Sequence, residues 1–202
     1  MGSMSTEDKY PNWFEVTAQE NFETYLRSMA GQPGLRALQL GVFTGDASVW
    51  LCQNILGGVD SRLTDVDTWR GSDEEVHDSM DFEDVYKTYE KKIKHFKNIY
   101  TCRTTTTDFL LHEAGCCDCN ATTEYDFIYI DADHTTAGVL IDAELSWNIL
   151  KYGGIMAFDD YEWGSNLPMH LRAKPGIDLF LLRHDGEYEL LAKNQQVWIK
   201  KH

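Results

Sequence analysis

The chain has 202 residues, 43% of them hydrophobic and 12% aromatic, which is ordinary for a soluble globular protein and enough for one domain with a substantial core. Its 33 acidic residues outnumber 18 basic ones, and a formal charge of −15 disfavours duplex nucleic acid or an anionic membrane as partner. Small neutral or cationic ligands and metal ions are easier to accommodate. With no signal peptide and no apolar run near the ~20 residues of a membrane span, a cytoplasmic, reducing setting is expected.

Met-Gly-Ser at residues 1–3 reads as an expression remnant and is set aside, and the remainder is expected to form a single domain within 1–202. A helical lead-in is predicted around 18–30, broken by Gly31 to Gly34. The segment LRALQLGV then gives a first strand, and GVFTGDASVWLCQNILGG a glycine turn and a helix ending at Gly57-Gly58. SRLTDVDTW is a second strand ending in acids. An acidic run from Asp73 to Asp84, read as a solvated lid or hinge, becomes a helix with Val85, Tyr89 and Ile93 on one face. NIYTCR is the third strand and precedes the threonines 104–107.

Three of the five cysteines follow, at 116, 117 and 119. A zinc site there would lack a second ligand pair at a customary spacing, so a surface loop is the expectation. The fourth strand is YDFIYI, β-branched and aromatic, stopping abruptly at Asp131. The helix TAGVLIDAELSWNIL breaks at KYGG, and Gly153-Gly154 restart the chain into a fifth strand, IMAFDDYEW. A helix around KPGIDLFLLRH leads to YELLAK and QVWIKK, an antiparallel hairpin around Lys193-Asn194. Strand-helix alternation closed by a hairpin predicts an α/β, Rossmann-like, doubly wound and mainly parallel seven-stranded sheet.

In such sheets ligands bind at the carboxyl ends of the strands. Gly41 and Gly45 stand in the first strand-to-helix turn, where backbone must approach a ligand closely and the next helix offers free amides. Asp67, about 20 residues on, ends the second strand where an acid can bind ribose hydroxyls. Asp131, Asp159 and Asp160 end neighbouring strands, and three carboxylates in one cleft repel one another unless a cation sits among them. Oxygen ligands select a hard ion such as Mg2+. Asp133 is read as a cap for the helix beginning near Thr135-Thr136.

Glycine loop, acid after strand two, YDFIYIDADH, LKYGGIMAFDDYEW and a closing antiparallel pair together resemble the class I S-adenosylmethionine (SAM)-dependent methyltransferases, most closely small O-methyltransferases of the macrolide-sugar and catechol types. The resemblance covers about residue 35 to the end. It implies SAM as cofactor, its methionine end on Gly41 and Gly45, its ribose on Asp67, its adenine near Thr105 or Thr106, and Asp131 within reach of it. Where the family commonly carries an acid two residues before the first glycine, this chain has Gln39, whose amide can hydrogen-bond the cofactor's amino group without charge attraction.

The resemblance also implies a divalent metal on Asp131, Asp159 and Asp160, and a general base at His134, matching the Asp-x-x-His spacing of the macrolide-sugar enzymes. Asp131 and His134 are thus the catalytic pair, and the acceptor is a small hydroxylated molecule, a sugar or a phenol. Trp147, Tyr161 and above all Trp163 are candidates to line its pocket. Self-association is left open. N-Methylation of an amine is the enzyme alternative, although Asp-Ala-Asp-His replaces the Asn/Asp-Pro-Pro-aromatic tetrapeptide of base amino-methyltransferases. A catalytically silent SAM-binding protein would have no use for repelling acids. A nicotinamide dehydrogenase would show G-x-G-x-x-G, which GVFTGDAS does not.

Overall fold

The structure, a computed structural model, describes residues 9–71, 80–115 and 124–202. Residues 1–3, residues 73–79 of the acidic run, and Cys116, Cys117 and Cys119 lie outside the described residues, and so do the expectations placed on them.

Seven strands form one sheet: β1 (Arg36–Leu40), β2 (Arg62–Asp67), β3 (Ile99–Arg103), β4 (Tyr125–Ile130), β5 (Leu150–Phe158), β6 (Tyr188–Lys193) and β7 (Val197–Lys201). Their order is β3-β2-β1-β4-β5-β7-β6. The first five are parallel, and β7 lies antiparallel between β5 and β6, as the pattern predicted. The helices are α1 (Trp13–Thr17), α2 (Gln19–Tyr25), α3 (Asp46–Asn54), α4 (Phe82–Ile93), α5 (Thr106–Gly115), α6 (Thr136–Ile149) and α7 (Ala173–Arg183).

β4 shows why the sheet needs a cover on each face. Ile128 and Ile130 enter one apolar cluster with Leu110, Val139 and Phe180, whereas Phe127 and Tyr129 enter another with Phe22, Leu51 and Trp198. A period of two with both phases apolar is the signature of a strand buried on both sides. Each such side chain contributes about 1.5–3 kcal/mol by leaving water. A third cluster, Val42, Trp69, Val85 and Tyr89, packs α4 against the loops after β1 and β2. Val85 and Tyr89 are buried and Ile93 half-buried, on the face read from the sequence. Asp81 starts α4 by accepting the Glu83 and Asp84 amides, and Lys91 and Lys92 close it against the helix dipole.

Three elements differ from expectation. The lead-in begins earlier, at Trp13, and is divided at Ala18, whose side chain is fully buried. The threonine run opens a helix, α5: the Thr105 hydroxyl accepts the Asp108 amide and donates to the Asp108 carboxylate. Finally β5 starts at Leu150, before the glycines, and stops at Phe158. Gly153 takes φ +77° inside the strand, beside a register shift against β4, so the glycines bend the strand instead of preceding it.

Backbone hydrogen bonds continue past the strand ends and tie the loops into one rim. The Thr104 amide donates to the Asp67 carbonyl, Gly41 to Val66, Asp131 to Leu40 and Asp159 to Ile130, all within 3.1 Å.

Candidate active site

The glycine loop and the end of β2 fold into each other. Gly41 has φ +82°, and a Cβ there would stand 1.8 Å from the Asp131 carbonyl oxygen. Gly45 has φ +81°, caps α3, and lies under the Tyr89 ring. Between them Phe43 is left-handed at φ +52°. Asp67 maintains this shape: Oδ2 accepts the Val42 and Phe43 amides at 2.7 and 3.1 Å, and Oδ1 the Trp69 amide at 2.7 Å. The Trp69 indole then donates to the Phe43 carbonyl at 2.9 Å. Phe43 stacks on Trp13 at 4.7 Å and meets the edge of Tyr10. Gln39 is buried, its amide donating to the Gly41 carbonyl and accepting from Ser48. Thr105 is exposed at the start of α5, and the Thr106 hydroxyl donates to Asp142 of α6 at 2.7 Å. Burial pushes the Asp142 carboxyl up to about 7.

At the other end of the rim the structure gathers Asp131, His134 and Asp160, which offer one ligand atom each within 4.8 Å of one another. His134 Nε2 lies 2.9 Å from Asp160 Oδ2 and 3.5 Å from Asp131 Oδ1. Asp160 takes φ +56°, which aspartate tolerates better than most residues. Desolvation and the Asp159 charge hold the Asp131 carboxyl well above the usual range. Asp159 departs from the predicted trio: its carboxylate accepts the Tyr129 hydroxyl and the Asp160 amide, so His134 joins Asp131 and Asp160 in its place. Asp133 accepts the Thr135 amide, but the cap of α6 is Thr135, whose hydroxyl accepts from Gly138.

Of the aromatic candidates only Trp163 is open, 38% exposed and 5.4 Å from the His134 ring. Trp147 is buried against Phe180 and His184, and Tyr161 is buried with its hydroxyl on Asp178, so both serve packing. A separate cleft, lined by Arg36, Arg62, Tyr100 and Glu113, lies at the amino ends of the strands and shares none of these residues.

Sequence reasoning missed Trp13, Phe43, Trp69 and Asp65. The alternation in LTDVD marks Asp65 and Asp67 as lying on one face of β2, and that was the available signal. Asp65 is fully buried under the glycine loop, where the Tyr89 hydroxyl donates to it.

A sheet in this order, with a glycine loop after β1, an acid after β2 and polar groups after β4 and β5, defines a class I methyltransferase fold. The methyltransferase domain family matches residues 38–161, more than half the chain, and the chain belongs to it. No curated protein matches it. Among solved structures it is similar to an O-methyltransferase from Bacillus cereus in complex with SAH, at 13% identity and TM-score 0.60, covering 98% of this chain and 94% of that one. It is also similar to the O-methyltransferase TomG from Streptomyces achromogenes, involved in tomaymycin synthesis and in complex with SAM, at 15% identity and TM-score 0.61, covering 97% and 92%. At such identity the likeness establishes the fold. Among the described residues no helix is long and apolar enough to cross a membrane.

Proposed function

We propose that this single-domain methyltransferase uses SAM to methylate a hydroxyl of a small acceptor, a sugar or a phenol. One observation carries the proposal: Gly41 of the glycine loop backs directly onto the Asp131 carbonyl, so a donor on the loop and an acceptor beside His134 would be neighbours. The O-methyltransferase identity of the solved structures above supports the choice of oxygen. Two free thiols, Cys52 and Cys102, suit a cytoplasmic setting.

The methionine end of SAM lies against Gly41, Gly45 and the start of α3, where Gln39 holds the Gly41 carbonyl. Asp67 has about four lone-pair sites and three are engaged by backbone, leaving room for a ribose hydroxyl. Thr105 and Thr106 border the adenine. The acceptor oxygen attacks the methyl carbon in line, the carbon–sulfur bond breaks, and the sulfonium leaves as a neutral thioether. His134 takes the hydroxyl proton, and the Asp160 carboxylate beside its Nε2 stabilises the resulting imidazolium.

Two carboxylate oxygens and an imidazole nitrogen fit a divalent cation, manganese or zinc more readily than Mg2+ because of the nitrogen. Such an ion would lower the acceptor's pKa. Ligand and base are competing uses of the His134 imidazole. The all-aspartate site of Asp131, Asp159 and Asp160 would use an Asp159 carboxylate that already accepts the Tyr129 hydroxyl and the Asp160 amide.

Calorimetry with SAM, followed by turnover against hydroxylated and amino acceptors with Mg2+, Mn2+ or chelator, tests the proposal. Binding of SAM and methylation of a hydroxyl are expected. Turnover of amines only would replace oxygen by nitrogen, and full activity in chelator would remove the metal.

A further inference from the structure

Gln39, Asp65 and Thr101 are register partners on β1, β2 and β3, and therefore form a polar row one layer beneath the rim. Two hydroxyls lie over this row. Tyr89 of α4 bridges Thr101 at 2.7 Å and Asp65 Oδ2 at 2.9 Å. Ser48 of α3 donates to Gln39 Oε1 at 3.1 Å and faces Asp65. Beyond Ser48, Gln39 Nε2 donates to the Gly41 carbonyl at 3.0 Å; beyond the Tyr89 hydroxyl, its ring packs on Gly45, 2.7 Å from where a Cβ would be. The row thus reaches both ends of the glycine loop, and Asp65 is its midpoint.

Asp65 is fully buried and its Oδ1 receives no donor. Ser48 has one hydroxyl proton, and Gln39 accepts it. That proton can turn to Asp65 only by leaving Gln39, so while Gln39 holds it an ionised Asp65 keeps one buried oxygen without a donor, a costly arrangement in a protein interior. A proton on Oδ1 resolves it by donating to Ser48 Oγ and completing an unbroken chain from Thr101 to Gly41.

We propose that Asp65 is a positioning residue of the cofactor site: as a neutral acid it joins the Tyr89 and Ser48 arms and so fixes both ends of the loop from Gly41 to Gly45. This rests on the assignment of that loop to SAM. Burial supports it, lifting the Asp65 carboxyl to about 7. The titratable groups facing Asp65 are Tyr89 from α4, Cys52 from α3, Cys102 from β3 and Asp67 from its own strand. Burial raises Tyr89 far above its usual range, Cys52 to about 12, and Cys102 to a lesser extent, so none of the three supplies a cation or takes up the charge. Above neutral pH Asp65 ionises, both arms slacken, and the loop loses its shape.

The test compares the full chain with Asp65→Asn, Asp65→Ala and Tyr89→Phe, titrated with SAM by calorimetry from about pH 6 to about pH 9. Wild-type affinity should fall by roughly tenfold relative to Asp65→Asn as pH rises, and taking the ratio of the two cancels the titration of SAM itself. Asparagine keeps an acceptor for Tyr89 and a donor for Ser48, so it should match the wild type at low pH and hold that affinity throughout. Asp65→Ala should lose about tenfold at every pH; if it does not fold, Tyr89→Phe, which cuts one arm, should show a smaller loss.

A second readout is independent of cofactor. In the wild-type minus Asp65→Asn infrared difference, the carbonyl band of a protonated buried carboxyl should be present below neutral pH; the subtraction removes Asp131 and Asp142, which the variant keeps. Identical pH curves for wild type and Asp65→Asn, or no such band, would overturn the proposal. Failure of the wild type to bind SAM at any pH, with the band present, would instead overturn the assignment of the loop.

Discussion

At the glycine loop each oxygen of Asp67 meets a backbone amide, whereas at the far end of the same rim Asp131 and Asp160 both lean on one imidazole. The first region uses charge to shape backbone: one carboxylate holds Val42, Phe43 and Trp69, two of them left-handed, and the indole of Trp69 bonds back to the loop. In the second, charge exceeds what the local backbone absorbs, and Asp131 is held protonated past its usual range by desolvation and by Asp159. The first region therefore holds a shape, and under the proposed function the second would handle a proton. A rigid donor site beside a chemically poised acceptor site, as proposed, is what in-line transfer from a reactive sulfonium requires.

The largest expected effect separates the two. His134→Ala should lower turnover by roughly 10²–10⁴-fold and leave SAM affinity nearly unchanged, because a base acts on the acceptor and in the transition state. Equal losses in kcat and in cofactor affinity would erase the division drawn here.

Gly41→Ala probes the seam where the regions meet. The new Cβ would collide with the Asp131 carbonyl in a conformation that alanine resists, so unfolding in denaturant should show a loss of about 3 kcal/mol or more, with SAM binding impaired. A tolerated alanine would mean that the loop and β4 move apart easily.

The third effect is smaller and lies behind the rim. Asp142 is raised to about 7, while the unfolded chain titrates near 4, so the folded state binds the extra proton between those values. The Asp142 contribution to stability should be complete below about pH 4, fall as pH rises towards 7, and level off above it, by about 4 kcal/mol at most. Asp142→Asn keeps a partner for the Thr106 hydroxyl and should make that slope shallower than in the wild type in melting scans.

What the sequence revealed and what it hid follow from the range of the interactions. β4 was legible because its two apolar phases are written in consecutive residues, and the loop glycines because their neighbours announce a turn. The helix α5 was hidden by its own threonines: β-branched residues suggest strand, although Thr105 and Asp108 have the spacing of a capping box. The start of β5 was hidden because Gly153 looks like a breaker until a register shift on β4 gives it a strand position. Asp159 could not be separated from Asp160 by inspection, since adjacent acids differ in which way the backbone turns, and only the structure gives Asp160 its φ of +56°. The pairing of Asp65 with Gln39 and Thr101 depends on strand register, which no local pattern encodes.

The stacking of Trp13 on Phe43 makes the molecule self-reporting. Trp69, Trp147 and Trp198 are buried and Trp50 is half-buried, while Trp13 and Trp163 are 39% and 38% exposed, the one against the glycine loop and the other beside His134. An aqueous collisional quencher such as iodide thus reaches one indole at each end of the rim far more readily than those in the core. Shielding by a donor alone and by an acceptor alone can then be read as separate fractions of the native emission, with no label attached.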